Sequence, residues 1–492
     1  MRQRFEQKTT LRTLPIAEVN LNFKSRDELP PIFKALQFIF TTPELNENVF
    51  EILEKKVFPK AKKKVGRKGM DLWHVLVLAV VRHAMGTDWD KLHYMANSDR
   101  YTRSIMGVYQ TGFSDDNIEF NYQTILDNVS LLDEDTLREI NGVVVEAGYS
   151  ILKKKEEELR LKTDSYAIEK DVDFPTDLGL LWDSCRKIFD LVESLKEEVS
   201  NLKGWRKLKS NYSKLKAQYR ATMFQVYKGR TAEKKKASVE DYLKMANELI
   251  AKTNDILNNN KLVVNSKAIV ILIALRTFKD YAMTFANQID RRLIKEETIP
   301  SEEKIYSIFE PDTEWLTKGK ANNKVELGHL FLVTTDQHQF IVDYKVMYNA
   351  RDAAQVPNLV ERLEKIYPNR DISSISFDKG FYSLENLETL EASKIKKIIL
   401  PKKGKKNKEE KQKEAEAEFV KLRHKHSAVE SNINMLEHHG LGKCMDKGVK
   451  GFNRYAGISV LAYNLHILGN LLEKQKQKPV RKRQKPAVRK AA

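Results

Sequence analysis

Strand patterning in this chain starts, breaks off for more than a hundred residues, and resumes. ELRLKTDSYAI at 158–168 reads as a strand, the pattern from 183 to about 297 is helical, and strand signals return only after Pro311. Within the helical block Ile188, Leu191, Leu195, Val199 and Leu202 recur every three or four residues, the spacing of an apolar stripe along a helix. Downstream, KVELGHLFLVTT (324–335) and QFIVDYKVMY (339–348) read as two strands with Asp336 and Gln337 in a hairpin turn. A helix at 353–366, a strand ending in SISFDKGFYS (374–383), a helix at 383–393 and a last strand KKIILP follow. The order specifies a mixed α/β sheet interrupted after its first strand by a helical insertion.

Residues 1–150 are helical in pattern. KKVFPKAKKKVGRKG (55–69) is a basic loop, Asp71 can cap an apolar helix at 72–85, and Gly86 ends it. Thr87 with Asp90 resembles a capping box for a second helix, and SDRYTRSIMG offers a short third one carrying Arg100, Tyr101 and Arg103. Three short helices of this kind fit a DNA-binding helix-turn-helix or an ordinary bundle with solvated basic residues.

A net charge of +18 points to a polyanionic partner, nucleic acid before anionic membrane. LWHVLVLAVV (72–81) and AIVILIAL (268–275) are too short to cross a bilayer and read as core helices, so no membrane span is expected. Two distant cysteines, Cys185 and Cys444, form neither a disulfide framework nor a cysteine zinc site. The first residues contain no signal-peptide core, which leads us to expect a cytoplasmic, nucleic-acid-containing compartment. KKGKKNKEEKQKEAEAE (402–418) is a charged linker or the start of a helix, and the tail from Lys474 to Lys490 holds nine Lys or Arg residues and no acid.

Three acids fall on separate elements: Asp164 on the first strand, Asp378 at the end of a central strand, and Glu430 on a late helix. Taken alone, Asp378 is as readily a turn residue satisfying nearby amides. On the late helix Val429, Ile433 and Leu436 make an apolar stripe, with Arg423, His426, Glu430 and Asn434 on an adjacent polar one. Three carboxylates change the weighting, because hard divalent cations take oxygen ligands, and two ions about 3.5–4 Å apart can assist phosphodiester cleavage.

LKTDSYAIEKDVDFPTDLGLLWD, EWLTKGKANNKVELG, ISFDKGFYS and the long HSAVESNINMLEHHGLGKCMDKGVKGFNRYAGISVLAYNLHILG together resemble the DDE transposases of bacterial insertion sequences, most closely the ISNCY-type group. LWHVLVLAVVRHAMGTDWDKLHYMANSDRY extends the likeness toward the N-terminus. The resemblance implies an RNase H-like core in which Asp164, Asp378 and Glu430 bind two Mg²⁺ or Mn²⁺ ions. It also implies double-stranded DNA as partner, both element ends and target, and a homodimer that brings two ends together in a bacterial, nucleoid-associated setting. The implied reaction is hydrolysis that frees a 3′-OH, followed by attack of that hydroxyl on target DNA. A metal-dependent nuclease without strand transfer, and an idle domesticated DNA-binding protein, are the alternatives.

The tyrosine, arginine, glutamate, lysine signature of related transposases is not reproduced around Glu430. His426 and Arg423 stand four and seven residues before it, and Glu437 seven after. Arg423, His426 and Lys443 are the candidate DNA contacts near the late helix, Arg100 and Arg103 those of the helix-turn-helix reading, and Lys318 and Lys320 those of the KGK turn, with ordinary solvation as their alternative. Thr176 and Asp177 read as a helix start, and His438 and His439 as a helix end before Gly440 rather than a zinc site. The expected domains are a DNA-binding region at 1–150, core at 151–183 and 301–400, insertion at 184–300, linker at 401–419, C-terminal core helices at 420–473 and a basic tail at 474–492.

Overall fold

A computed structural model of the chain describes residues 3–7, 13–57, 69–109, 118–154, 157–199, 202, 204–258, 265–317 and 325–477. It divides into two compact units, Met1–Asp171 with Gly328–Ala492, and Val172–Leu327.

The first unit opens with seven helices: α1 (Leu29–Thr41), α2 (Pro43–Val57), α3 (Leu72–Ala84), α4 (Trp89–Ser98), α5 (Arg100–Ile105), α6 (Tyr122–Val129) and α7 (Glu134–Leu152). Every residue of α3 is buried, as the apolar run requires. Asp88, Asp99, Asn121 and Asp133 cap α4 to α7 by accepting backbone N–H groups two or three residues on. Two expected caps differ. Asp71 makes no side-chain cap bond, and Asp88 rather than Thr87 caps α4, because the helix begins only at Trp89.

Strand β1 (Leu159–Lys170) closes this segment, and the second unit follows with α8 (Asp177–Glu198), α9 (Leu208–Lys228), α10 (Ala232–Leu257), α11 (Ser266–Ile289) and the short strand β2 (Glu314–Thr317). Thr176 does cap α8, accepting the Gly179 N–H at 3.1 Å. Of the expected stripe Ile188, Leu195 and Val199 are buried and Leu191 and Leu202 partly so, α8 itself ending at Glu198, in an apolar core that also holds Leu178, Val192 and Ile308. That shared core explains why the unit spans 172–327 rather than 184–300. The run 268–275 in α11 is core on one side only: Ala268 and Leu275 are buried, whereas Ile269, Val270 and Ile273 are exposed.

Returning to the first unit, the chain adds β3 (Val325–Thr335), β4 (Ile341–Met347), α12 (Val356–Ile366), β5 (Ile372–Phe377), α13 (Leu384–Ala392), β6 (Ile398–Ile399), α14 (Lys408–Ala415), α15 (Ala417–His426), α16 (Ala428–Leu436), β7 (Lys443–Cys444) and α17 (Gly448–Gln477). The strands order as β4-β3-β1-β5-β6, with β3 antiparallel to β1 and β4, and with β5 and β6 parallel to β1. These directions and this order make the sheet RNase H-like. The β3–β4 turn is built on buried Asp336, which accepts the N–H groups of His338 and Phe340 and the Tyr149 hydroxyl at 2.8, 2.9 and 2.7 Å.

The stretch 402–419 is not a linker. Asn407 and Glu410 form a capping box for α14, and Lys402 and Lys406 pair with Glu410 and Glu414 at 2.6 Å, so the alternating charges compensate one another locally. Helix α17 packs against α1, α3 and α7. A Cβ at Gly469 would sit 1.8 Å from the Pro31 carbonyl oxygen, so only glycine permits that crossing with α1. Between α3 and α17, buried Arg82 reaches Asp446 at 2.7 Å, and Arg454 meets the other Asp446 oxygen at 2.8 Å.

Candidate active site

Strands β1 and β5 are parallel and in register through Thr163 and Phe377. In-register parallel neighbours face the same way at a spacing of about 4.8 Å, so the next residues, Asp164 and Asp378, emerge side by side where the ladder ends. Asp164 is half-buried opposite Val333, with Oδ1 accepting the Ser165 N–H at 2.8 Å. Asp378 is exposed and begins the 3-10 turn Lys379–Phe381, yet its side chain makes no cap bond. The carboxylate is thus not consumed by the turn. Glu430 lies in the first turn of α16, exposed, while Val429, Asn432 and Leu436 are buried on the other side of a helix that packs against β1.

The electrostatics tie these groups together. Burial first, then the charges of Asp378, Asp352 and Glu430, push the Asp164 carboxyl up to about 6, and the Ser165 amide offsets this only partly. Asp352 was not expected from the sequence, where an acid just before a helix reads as an ordinary helix start. Its Oδ1 accepts the Ser165 hydroxyl at 2.6 Å, and burial followed by Asp378 raises its carboxyl too. Gly380 makes room for it: a Cβ there would lie 3.0 Å from Asp352 Oδ2. Among the described residues the three expected acids do not bring one oxygen each to within 4.8 Å of the other two. They form an open all-oxygen cluster, a donor set that fits hard divalent ions retaining several waters.

Two residues before Asp164 and Asp378, on the same face, stand Lys162 and Ser376. Both line a groove of about 490 Å³ with Arg160, Lys425, Ser427 and Ala428. His426 faces inward rather than outward as a surface cation: its Nδ1 lies 3.0 Å from the Ser376 hydroxyl, and burial holds its pKa below the usual value despite Asp378 and Glu430. The polar stripe envisaged for one helix is split by the break at Ser427 between α15 and α16.

The remaining basic candidates separate. Arg423 is exposed, 3.9 Å from Glu414, and exposed Lys443 pairs with Asp171 at 2.6 Å. Arg100 is exposed, with its guanidinium 5.4 Å from the centre of the Tyr109 ring. Arg103 is not at a surface. Its guanidinium is buried and donates to the carbonyls of Ala96 and Ile118, because α5 turns that face toward the core. Lys318, Lys320, most of the basic loop and residues 478–492 of the tail lie outside the described residues.

Residues 285–465 match the family model for the transposase DDE domain, a span that contains Asp378 and Glu430 and the strands from β2 to β7. The chain carries a DDE transposase domain. Neither the curated proteins nor the solved structures contain a match to it. Membership of this domain family implies action on DNA with divalent metal ions. Among the described residues, no helix of the chain is long and apolar enough to cross a membrane.

Proposed function

We propose that the protein is a transposase that binds the ends of its own insertion sequence and cuts and rejoins DNA at the Asp164, Asp378 and Glu430 cluster. The observation that carries this reading is the half-buried Asp164 beside Asp378 where the ladder between parallel β1 and β5 ends, its carboxyl raised among three other acids. Gathering like charges at a half-buried position destabilises the fold, and a cation relieves that repulsion. Asp164, Asp378 and Glu430 would hold two Mg²⁺ or Mn²⁺ ions, with Asp352 orienting Ser165 behind them. When bound, such ions supply an activated oxygen nucleophile and stabilisation of the leaving oxygen.

The chain's own residues do the rest. Arg160, Lys162 and Lys425 in the adjoining groove attract a phosphodiester backbone and hold it along the sheet end. The helical region 1–150, with exposed Arg100, together with the basic tail, supplies further contacts to the ends, and two copies of the chain pair two ends. The ISNCY-type grouping belongs to the same proposal.

The test uses DNA bearing the inverted repeats that flank the gene. Purified protein with Mg²⁺ should nick at the repeat boundary, leave a 3′-OH, and join that end to a second duplex; excess EDTA should stop both steps. Nicking without joined product would favour a nuclease. Cleavage undiminished by EDTA would remove the metal-dependent mechanism.

A further inference from the structure

The pair His438 and His439 ends its helix as the sequence suggests, but the manner of ending matters. In the turn Glu437–Leu441 that continues α16, His439 (φ −83°, ψ 27°) and Gly440 (φ +83°) leave helical geometry. The turn places His439 in the interior, completely buried. Its Nδ1 lies 3.0 Å from Oε2 of Glu28, the residue preceding α1, and its Nε2 lies 3.2 Å from Nδ1 of His466 on α17.

The Glu28–His439 contact is a buried ion pair rather than a well-aligned hydrogen bond, and the His439–His466 contact is a hydrogen bond, so His439 stands between a carboxylate and a second imidazole. One nitrogen or oxygen from each of Glu28, His439 and His466 lies within 4.8 Å of the other two, the sole such group among the described residues.

We propose that Glu28, His439 and His466 bind a transition-metal ion of the Zn²⁺ class, with a water completing the coordination. Two imidazoles and a carboxylate are a donor set for zinc and its neighbours, whereas the all-oxygen cluster at Asp164 suits Mg²⁺. The two sites therefore select different ions. The ion joins three segments distant in sequence: the entry to α1, the turn that follows the Glu430 helix, and α17. It thereby fixes the C-terminal end of the helix that presents Glu430, a positioning role separate from the reaction itself.

The test measures metal content in the full-length protein, independent of DNA cleavage. Protein is loaded with Zn²⁺ or Co²⁺ in the presence of excess Mg²⁺, dialysed, and its metal quantified, with Co²⁺ ligand-field absorption as a second readout. Wild type and Asp378→Ala should each retain about one equivalent, and Zn²⁺ should raise the melting temperature where Mg²⁺ does not. Glu28→Gln and His466→Gln should lose the ion. Glu28 is partly exposed, and the amide keeps its shape, so this variant should fold, with circular dichroism as the check. Absence of retained Zn²⁺ or Co²⁺, retention unaffected by Glu28→Gln and His466→Gln, or loss in Asp378→Ala would each overturn the assignment.

Discussion

Two charged clusters in the first unit are built on opposite terms. At Arg82, Asp446 and Arg454, one carboxylate lies between two guanidiniums, with Arg82 also stacked 3.8 Å from the centre of the Trp89 ring. At Asp164, Asp352, Asp378 and Glu430, four acids share a field and the two half-buried ones, Asp164 and Asp352, are pushed toward their neutral forms. The first cluster compensates charge and joins α3 to α17. The second concentrates charge without protein compensation, and such concentration is expected where an external cation and a polyanion are to be handled. Stability and function should therefore respond to mutation in opposite ways at the two places.

The largest stability effect should come from the compensated cluster. Asp446→Ala leaves two guanidiniums facing each other in the interior and should cost about 3–5 kcal/mol, read as a lower urea midpoint in the full chain. A loss below about 1 kcal/mol would erase the contrast.

At the uncompensated cluster the sign reverses. The Asp164 pKa of about 6 lies above its unfolded value of 3.8, so the folded protein binds the extra proton between those limits. Its contribution is most favourable below the unfolded value and falls as pH rises through 6, reaching a penalty of about 3 kcal/mol near pH 7. In chelator, Asp164→Asn should therefore stabilise the protein at pH 7 by up to about that amount and by little at pH 4. A pH-independent loss of stability would contradict the clustering.

Arg103→Ala should lower stability by about 1–3 kcal/mol, since the Ala96 and Ile118 carbonyls lose their donor. Arg100→Ala should leave stability unchanged and flatten the salt dependence of DNA binding by roughly one unit of log-log slope. Equal effects of the two substitutions on DNA binding would return Arg103 to the surface. The smallest change is Gly380→Ala, whose methyl crowds Asp352. Cleavage should slow while the melting temperature moves little, and an unchanged rate would separate Asp352 from the site.

The sheet was legible because its strands carry β-branched runs and its helices carry periodic apolar stripes, signals that depend on neighbours in sequence. The side-by-side placement of Asp164 and Asp378 rests on parallel register between segments more than two hundred residues apart, which no local pattern specifies. Asp352 was missed for a related reason: its role depends on Ser165 and Gly380, and locally it looks like any acid before a helix. Arg103 reads as a surface cation in the sequence because α5 has too few residues for its buried face to be distinguished by periodicity. The stretch 401–419 reads as a linker because alternating Lys and Glu have the composition of a solvated tether, and the local cue to its helix is the capping box of Asn407 and Glu410.

The central claim is that Asp378 serves chemistry rather than the turn it begins, and its most direct test is cleavage per folded molecule in Asp378→Ala. The variant's melting temperature should match or exceed that of wild type, because no cap bond is lost and repulsion on Asp164 falls. It should bind end DNA normally and show no detectable Mg²⁺-dependent cleavage, as should Asp164→Ala and Glu430→Ala. An Asp378→Ala protein that melts earlier yet cuts at the wild-type rate per folded molecule would contradict the account.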